Sequence, residues 1–413
     1  MDSRSTPTPS PQLLLVAIAL VGLNLRPFIT GIGPLAADIG AHTGLDLQGL
    51  ALLTLVPMLL MGVLAFAGPS LEVRLGARRS IVIALAVLAL ASFLRLFVAT
   101  GWEMIATAAL LGLGAAVVQA MLPGAVKRHF PHHVGVVMGL YSAMLMGGGA
   151  VGAQLAPLVS VAAGDWRAGL AWMALPALLA LALIARSLPA DPAGRPHGGA
   201  AATFLKRPRT WLLMACFGLV NGGYATVVAW LAPFYRDIGW SAAASGSLLA
   251  VMAVCQAAAA LVLPVLATRH PDRRPWLWLT LAMQALGFAA LTLLPEVAPL
   301  LWAAVIGAGL GGCFALSMIV ALDHLPDPAE AGTLSALMQG GGFLLAALPP
   351  WIVAILHDLT GGFAAGWILH LCCIAIVTAL YWRVAPAGYA RAMTSPTAAV
   401  HSVRSATSSQ SMS

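Results

Sequence analysis

Twelve long apolar segments alternate with short polar stretches along this chain. In chain order, spans 1 to 12 lie at about 12–37, 48–68, 80–99, 102–123, 134–160, 168–187, 210–234, 243–267, 276–295, 298–322, 333–356 and 364–383. Each is near or above the roughly 20 residues that a helix needs to cross a bilayer. The pattern predicts an all-α, polytopic membrane protein with twelve transmembrane helices. The composition agrees, because 60% of the residues are hydrophobic and only 8% are charged.

Polar segments divide these spans into two groups of six. The longest internal one, 188–209, is rich in Pro, Gly and Arg, which is typical of a linker. We therefore predict two pseudo-symmetric six-helix bundles, over 12–187 and 210–384. The polar ends, 1–11 and 385–413, are predicted to be disordered tails.

The basic residues predict the orientation. With the amino terminus inside, only Arg167 and Arg236 fall outside, Arg26 and Arg95 lie within spans, and the other Lys and Arg residues lie inside. Such residues accumulate in cytoplasmic loops. We expect a multi-pass protein of the inner (plasma) membrane with both termini cytoplasmic. The net charge of +7 then reflects topology and not nucleic-acid binding.

The two groups of spans resemble each other in sequence. Span 5 carries Ser142 to Gly149, ending in three glycines with Pro157 after them, and span 11 carries the similar Ser335 to Gly342 with Pro350 after them. Equivalent positions elsewhere lie 193 to 199 residues apart. This indicates tandem duplication of a six-span unit, an architecture that transporters use with a solute site near the midplane.

Several short motifs occur along the spans and their loops. They are Asn24-Leu-Arg-Pro27, Pro123 to Pro131, Gly139-Leu-Tyr-Ser142, Trp230-Leu-Ala-Pro233, Leu334-Ser-Ala336 with Gln339, and Leu356 to Gly361. Taken with the six-plus-six organisation, they resemble the CynX/NimT (cyanate and 2-nitroimidazole transporter) branch of the major facilitator superfamily. The resemblance implies a transporter, monomeric and without a cofactor, that rocks two bundles about a central site. Its solute would be small and polar, anionic or nitro-bearing.

The loop between spans 2 and 3 departs from the superfamily pattern. Val73 stands where an aspartate is expected, and Glu72 lies one position early. This leaves open whether a gating salt bridge of the usual geometry forms. Arg74, Arg78 and Arg79 follow in the same loop; they could bind anionic lipid, although their topogenic role already accounts for them.

Arg26 is the strongest candidate for a solute contact. It lies within span 1, next to Pro27, which is expected to kink the helix. All fourteen acids fall in tails, loops or span ends, so no carboxylate is expected to neutralise it. A buried guanidinium of this kind suits an anion or an oxygen-rich solute. Alternatively, Arg26 donates hydrogen bonds to backbone carbonyls freed by Pro27.

We expect Arg95, near the outer end of span 3, to extend to the membrane interface.

Polar side chains in repeat-related spans are the next candidates. Asn24, Asn221 and Tyr224 lie near the centres of spans 1 and 7, and we expect them to line the pathway. Tyr141 and Gln339, on spans 5 and 11, rank after them. Bonds between helices are the alternative for such residues. His370 is a possible proton site, or a hydrogen-bonded structural residue.

The sequence lacks the residue groupings that a metal site, a disulfide framework or an enzyme active site would need. The loop with His129, His132 and His133 has no carboxylate or cysteine beside it, so no metal site is expected. The five cysteines lie in apolar runs, which predicts no disulfide framework. No nucleophile, base and metal set converges, which argues against an enzyme.

The sequence therefore predicts a secondary transporter of a small polar, anionic or nitro-heteroaromatic solute. We favour 2-nitroimidazole-type export, because the aromatic and amide side chains of span 7 suit a flat ring. Uptake of cyanate or another small anion is the alternative. A broad drug/proton antiporter would usually carry an acid within the first six spans, and a receptor or scaffold would not need Arg26. Solute, direction and proton coupling stay open.

Overall fold

The twelve predicted spans are confirmed in the computed structural model, which describes residues 11–45, 47–66, 68–189, 200–240 and 242–393. Eleven helices there are long and apolar enough to cross a membrane, and the shorter apolar helix of span 2 completes the set. The spans are Pro11–Leu35, Leu47–Ala65, Ala77–Phe97, Gly101–His129, Val134–Ala163, Trp166–Ser187, Pro208–Asp237, Ala242–Ala267, Arg274–Leu293, Pro299–Asp323, Pro328–Thr360 and Ala364–Tyr381. Helices suit this setting because they satisfy every interior backbone group without water.

Two spans are broken where proline follows. Span 1 consists of helix Pro11–Leu23, a non-helical turn at 24–26, helix Pro27–Thr30 and a 3-10 turn at Gly33–Leu35. The kink expected at Pro27 is therefore a full break. Span 11 consists of Pro328–Ala346 and Leu348–Thr360, and Pro349 and Pro350 stand at the start of its second helix. Span 6 is also interrupted, at 172–173, between Trp166–Ala171 and Ala174–Ser187. The breaks in spans 1 and 11 lie at non-equivalent places in the repeat.

Side-chain caps define several helix starts. At the start of span 4, the Thr100 hydroxyl accepts the Glu103 amide, and the Glu103 carboxylate accepts the Thr100 amide at 2.9 Å. This is a capping box. Asp327 accepts the amides of Ala329 and Glu330 at the start of span 11, at 3.0 and 2.9 Å. These contacts satisfy amide groups that a helix leaves unpaired.

Glycines allow close helix contact in both bundles. A Cβ placed on Gly148 of span 5 would lie 2.2 Å from the Leu23 carbonyl oxygen, and one on Gly152 would lie 2.4 Å from Pro27 Cα. In the second bundle, a Cβ on Gly218 of span 7 would lie 2.9 Å from the Gly342 carbonyl oxygen. The glycine runs therefore serve helix packing, as small residues in membrane helices commonly do.

The bundles meet on one side of the molecule, which we call the linker face because the residues flanking the 188–209 linker lie there. Lys127, at the end of span 4, donates to the carbonyls of Leu322 and Leu325 at the end of span 10. Gly124 and Gly332 also touch, since a Cβ on Gly332 would lie 2.9 Å from Gly124 Cα. These contacts close the linker face.

Ion pairs at the linker face follow the repeat with their signs exchanged. In the first bundle, Glu72 before span 3 pairs with Arg128 at the end of span 4, at 2.8 Å. In the second bundle, Arg273 before span 9 pairs with Asp323 at the end of span 10, at 3.3 Å. Glu72 thus makes an ion pair despite its shifted position.

The carboxyl-terminal segment continues in helical form beyond span 12. Residues Pro386–Gly388 and Tyr389–Met393 form short helices, and the Tyr389 ring stacks on buried His324 with ring centres 3.9 Å apart. Burial lowers the pKa of His324 to about 4, so this ring is neutral at physiological pH. The tail predicted from 385 therefore starts no earlier than 394. The predicted tail at 1–11 lies outside the described residues except for residue 11. Residues 190–199 of the linker also lie outside them, and Ala200–Leu205 of the linker is helical.

Substituting Gly148 should destabilise the first bundle. Gly148→Ala places a methyl group against the Leu23 backbone, and such overpacking costs about 1–3 kcal/mol. We expect a lower melting temperature in detergent. Gly147→Ala is the matched control, because nothing lies within 4 Å of its added Cβ. Equal melting temperatures for both variants would contradict the close contact.

Removing the Lys127 ammonium should loosen the linker face. Lys127→Met leaves the Leu322 and Leu325 carbonyls without their donor. Spin labels at 132 and 269, one in each bundle and both at exposed positions, should then show a larger population at long distance. Lys206→Met is the control for loss of a lysine. An unchanged distance distribution in Lys127→Met would refute a role in closure.

Candidate functional site

The broken segment of span 1 places Arg26 at the boundary between the bundles. Arg26 precedes Pro27, the first residue of a four-residue helix, and its own backbone is non-helical. Its side chain extends toward span 7, where the guanidinium carbon lies 4.7 Å from the centre of the Tyr224 ring. This is cation–π geometry between the two bundles.

Arg26 keeps most of its binding capacity. The residue is 8% exposed, and its Nε has no hydrogen-bond partner. Within the described residues, no carboxylate forms a salt bridge with it. An arginine has five N–H donors and no acceptor, and the tyrosine ring attracts the cation without using those donors in planar hydrogen bonds. The guanidinium can therefore bind an anion.

Tyr141 of span 5 lies on the same side of span 1. It is fully buried, and its hydroxyl has no partner among the described residues. A Cβ on Gly22 would lie 3.3 Å from Tyr141 Cδ2, so the ring packs against span 1 four residues before Arg26. We refer to Arg26, its contact Tyr224 and this tyrosine, from spans 1, 7 and 5, as the cluster.

The two asparagines are held by backbone carbonyls. Asn24 Nδ2 donates to Leu20 O at 2.7 Å and to Pro176 O of span 6 at 3.2 Å. Asn221 Nδ2 donates to Phe217 O of its own helix at 2.8 Å. In this conformation, their NH₂ groups brace the helices and do not extend toward Arg26. Their solute contact stays a prediction.

Gln339 joins the bundles through span 4. Its Nε2 donates to the Gln119 carbonyl at 3.3 Å, and its Oε1 has no partner. Both side-chain amide atoms of buried Gln119 also lack partners. Gln119 was not among the candidate site residues predicted from the sequence, because the equivalent position in the repeat is not polar. Its polar side chain inside an apolar span was the feature that could have indicated it.

His370 lies away from this cluster, within the second bundle. Its ring stacks on Phe288 of span 9 with centres 5.1 Å apart, and its Nδ1 would lie 3.6 Å from a Cβ on Gly223. Its Nε2 has no partner in the described chain. A role in proton coupling stays a prediction.

The expectation for Arg95 is wrong. The side chain is fully buried and does not extend to the interface. Its Nη1 donates to the Phe28 carbonyl at 3.4 Å, while Nε and Nη2 have no partner in the described residues. A second buried arginine therefore contacts the four-residue helix that follows Arg26.

Comparison with known proteins agrees with this fold. The family model described as Major Facilitator Superfamily matches residues 13–350, with a second match over 224–405. The chain belongs to the major facilitator superfamily. Among solved structures, it is similar to the proton:xylose symporter XylE bound to 6-bromo-6-deoxy-D-glucose, with a TM-score of 0.77, 14% identity, and coverage of 90% of this chain and 95% of that one.

Two curated relatives belong to the branch expected from the motifs. The chain is 41% identical to the "Cyanate transport protein CynX" of Escherichia coli K12 over 374 residues, which cover 90% of this chain and 97% of that protein. It is 26% identical to the "2-nitroimidazole transporter" of the same organism over 371 residues, which cover 89% and 93%. The chain is thus a CynX/NimT-type member. The preference for 2-nitroimidazole export is not supported, because the greater similarity is to the cyanate transporter.

Substituting Arg95 tests whether its contact with Phe28 positions the segment that contains Arg26. Arg95→Met removes a buried charge and the donor to Phe28 O. A hydrogen bond that involves a charged group contributes about 1.5–3 kcal/mol, and less at a length of 3.4 Å. We expect a KM for the transported anion that is about 2- to 10-fold higher at an unchanged or higher melting temperature, with partial rescue by Arg95→Lys. A wild-type KM in Arg95→Met would show that the contact does not position Arg26.

Proposed function

We propose that this protein carries a small inorganic or organic anion across the membrane by alternating access, with Arg26 as the residue that binds its charge. The buried Arg26 guanidinium, free of any described carboxylate and located between the bundles, is the observation that carries the proposal. Cyanate is the first solute to test, because the CynX relative is 41% identical over most of both chains.

The cluster suits a small anion for chemical reasons. A guanidinium donates charge-assisted hydrogen bonds, which are stronger than neutral ones. The unpartnered Tyr141 hydroxyl can supply a further donor to the same anion. Tyr224 supports the cation from the other bundle, so an anion on Arg26 changes a contact that spans the boundary. Gln119 and Gln339 extend the polar lining toward the linker face.

Alternating access fits the distribution of contacts. Lys127 and the Gly124–Gly332 contact close the linker face, and Arg26 lies on the other side of these contacts. We propose that the linker face and both termini are cytoplasmic, as the basic loops predict. The described conformation is then closed toward the cytoplasm, and opening it requires Lys127 to release its carbonyl partners.

Two other functions fit less well. A drug/proton antiporter would commonly use an acid deep in the first bundle, and the acids of this chain lie at span ends, in loops or in tails. If the protein were a receptor or scaffold, Arg26, which pairs with no described carboxylate, would have no role. We assign no catalytic reaction to the site, and the family and its named relatives are transporters.

The decisive test is uptake of labelled cyanate into proteoliposomes that contain the purified protein. Wild type should show saturable uptake, and Arg26→Ala should lower kcat/KM by about 10- to 100-fold, because hydrogen bonds to charged groups contribute about 1.5–3 kcal/mol. Tyr224→Phe should retain activity, whereas Tyr224→Leu should raise KM by a few fold through loss of the ring contact. Exposed Arg236→Ala is the matched control for loss of an arginine.

Three further arms separate the alternatives. Unlabelled nitrate, formate and 2-nitroimidazole as competitors define the solute class, and a ring-selective result would favour the nitroimidazole reading. An imposed pH gradient with His370→Gln tests proton coupling. Uptake by Arg26→Ala equal to that of wild type would refute the proposed anion site.

A further inference from the structure

A groove on the lipid-facing side of the first bundle has no part in the solute pathway. Its volume is about 440 Å³, comparable to that of one lipid acyl chain, and it lies between spans 2, 3 and 4. Leu64, Ile83, Leu113 and Val117 contribute to its walls. Ile83 is 52% exposed and Leu113 is 37% exposed, so the groove opens sideways to the surrounding membrane.

One charged residue stands at the linker-face end of this groove. Arg74, on the short helix Gly68–Leu75, is exposed and lines the groove. It makes no ion pair or hydrogen bond with another described residue, whereas neighbouring Glu72 pairs with Arg128. Ser80, the other polar lining residue, donates to the Gly76 carbonyl at 2.9 Å. Arg74 therefore retains all its donors for an outside group.

The depth of the groove matches one membrane leaflet. Ser80 and Val87 both line it, and seven residues of helix extend about 10 Å. Val117 and Leu113 lie twelve and sixteen residues from the linker-face end of span 4, which is about 18 and 24 Å. Span 4 has 29 residues and is about 44 Å long, so about 7 Å of that length lies outside the hydrocarbon core at each end. Half of the hydrocarbon core is about 15 Å thick. A chain that enters beside Arg74 thus reaches about the bilayer centre.

We propose that this groove is a binding site for one anionic phospholipid of the linker-face leaflet, with its acyl chain between spans 2, 3 and 4 and its phosphate on Arg74. The apolar walls require a hydrocarbon chain, which a free phosphate lacks. Exposed Arg74 gives this end of the groove a positive charge that suits an anionic headgroup.

The short helix that bears Arg74 also belongs to the linker-face closure. Glu72 on this helix holds Arg128 at 2.8 Å, and the helix contacts span 11 of the second bundle. A lipid bound to Arg74 therefore braces an element that touches both bundles. The site is separate from Arg26, so it does not depend on the identity of the transported solute.

Native mass spectrometry of the purified full chain in detergent tests the site. Phosphatidylglycerol and phosphatidylcholine with identical acyl chains are titrated against wild type and variants. We expect the first phosphatidylglycerol to bind wild type about 5-fold or more tighter than phosphatidylcholine. Both lipids present a phosphate to Arg74, but only phosphatidylcholine also carries a choline ammonium, which the arginine repels. Arg74→Gln should remove this preference, and Ile83→Trp, which fills the groove, should weaken binding of both lipids.

Matched variants distinguish the site from general lipid contact. Arg269→Gln removes an exposed arginine from the corresponding loop of the second bundle, and Leu286→Trp adds a ring at a lipid-facing position of span 9. Both should bind as wild type does. Val87→Phe is a smaller filling variant if Ile83→Trp does not fold, and inorganic phosphate should not displace the lipid.

The possible outcomes are decisive. An unchanged phosphatidylglycerol preference in Arg74→Gln would overturn the headgroup assignment, and wild-type affinity in both filling variants would overturn the groove. Equal losses in the control variants would show lipid contact without a specific site. Because binding is measured without transport, failure here leaves the proposed anion transport untouched, and failure of cyanate uptake leaves the lipid site untouched.

Discussion

A positive charge held in the membrane interior without a carboxylate is the constraint on which this structure depends. Inserting a guanidinium at bilayer depth costs at least about 2.5–3.5 kcal/mol on insertion scales. The protein offsets this with the Tyr224 ring, worth about 0.5–2 kcal/mol in such contacts, and with a broken helix that brings Arg26 to the bundle boundary. An acid beside Arg26 would stabilise the resting protein further, but it would also compete with an incoming anion. The ring stabilises the cation while leaving its charge available.

The linker face is held together differently within and between the bundles. Within each bundle, an ion pair ties the loop before the third helix to the end of the fourth, and the duplication has kept this geometry while exchanging acid and base. Between the bundles, Lys127 donates to carbonyls at a helix end, where cations are favoured. Separating the bundles then exposes a lysine and two carbonyls to water, while Asp323 keeps its ion pair with Arg273 within the second bundle. Such a junction can open and close repeatedly at a modest free-energy difference.

Hydropathy predicted the twelve spans, and Pro27 predicted a kink where span 1 is in fact broken, because both signals are local in sequence. The direction in which a side chain points was harder to predict. Arg95 was expected at the interface from its depth, but rotation about the helix axis turns it inward to Phe28. Asn24 lies at the membrane depth expected for the pathway, yet its side-chain amide donates to the Pro176 carbonyl. In membrane spans, lipid-facing and helix-facing positions are similarly apolar, so the sequence carries little information on rotation. The sign-exchanged ion pairs were missed for another reason, since a search for similar residues overlooks a pair that exchanged its charges.

In the closed state, the contact between Gly124 and Gly332 leaves too little space for even one added methyl group. Two backbones meet there, and a Cβ on either residue would stand about 3 Å from the opposite Cα. Alanine at either position would fit an open linker face without strain and would disfavour the closed one. Fold stability and conformational preference are therefore separable at this point. Variation at these two glycines would adjust the turnover rate of the transporter while leaving its architecture and the proposed solute cluster intact.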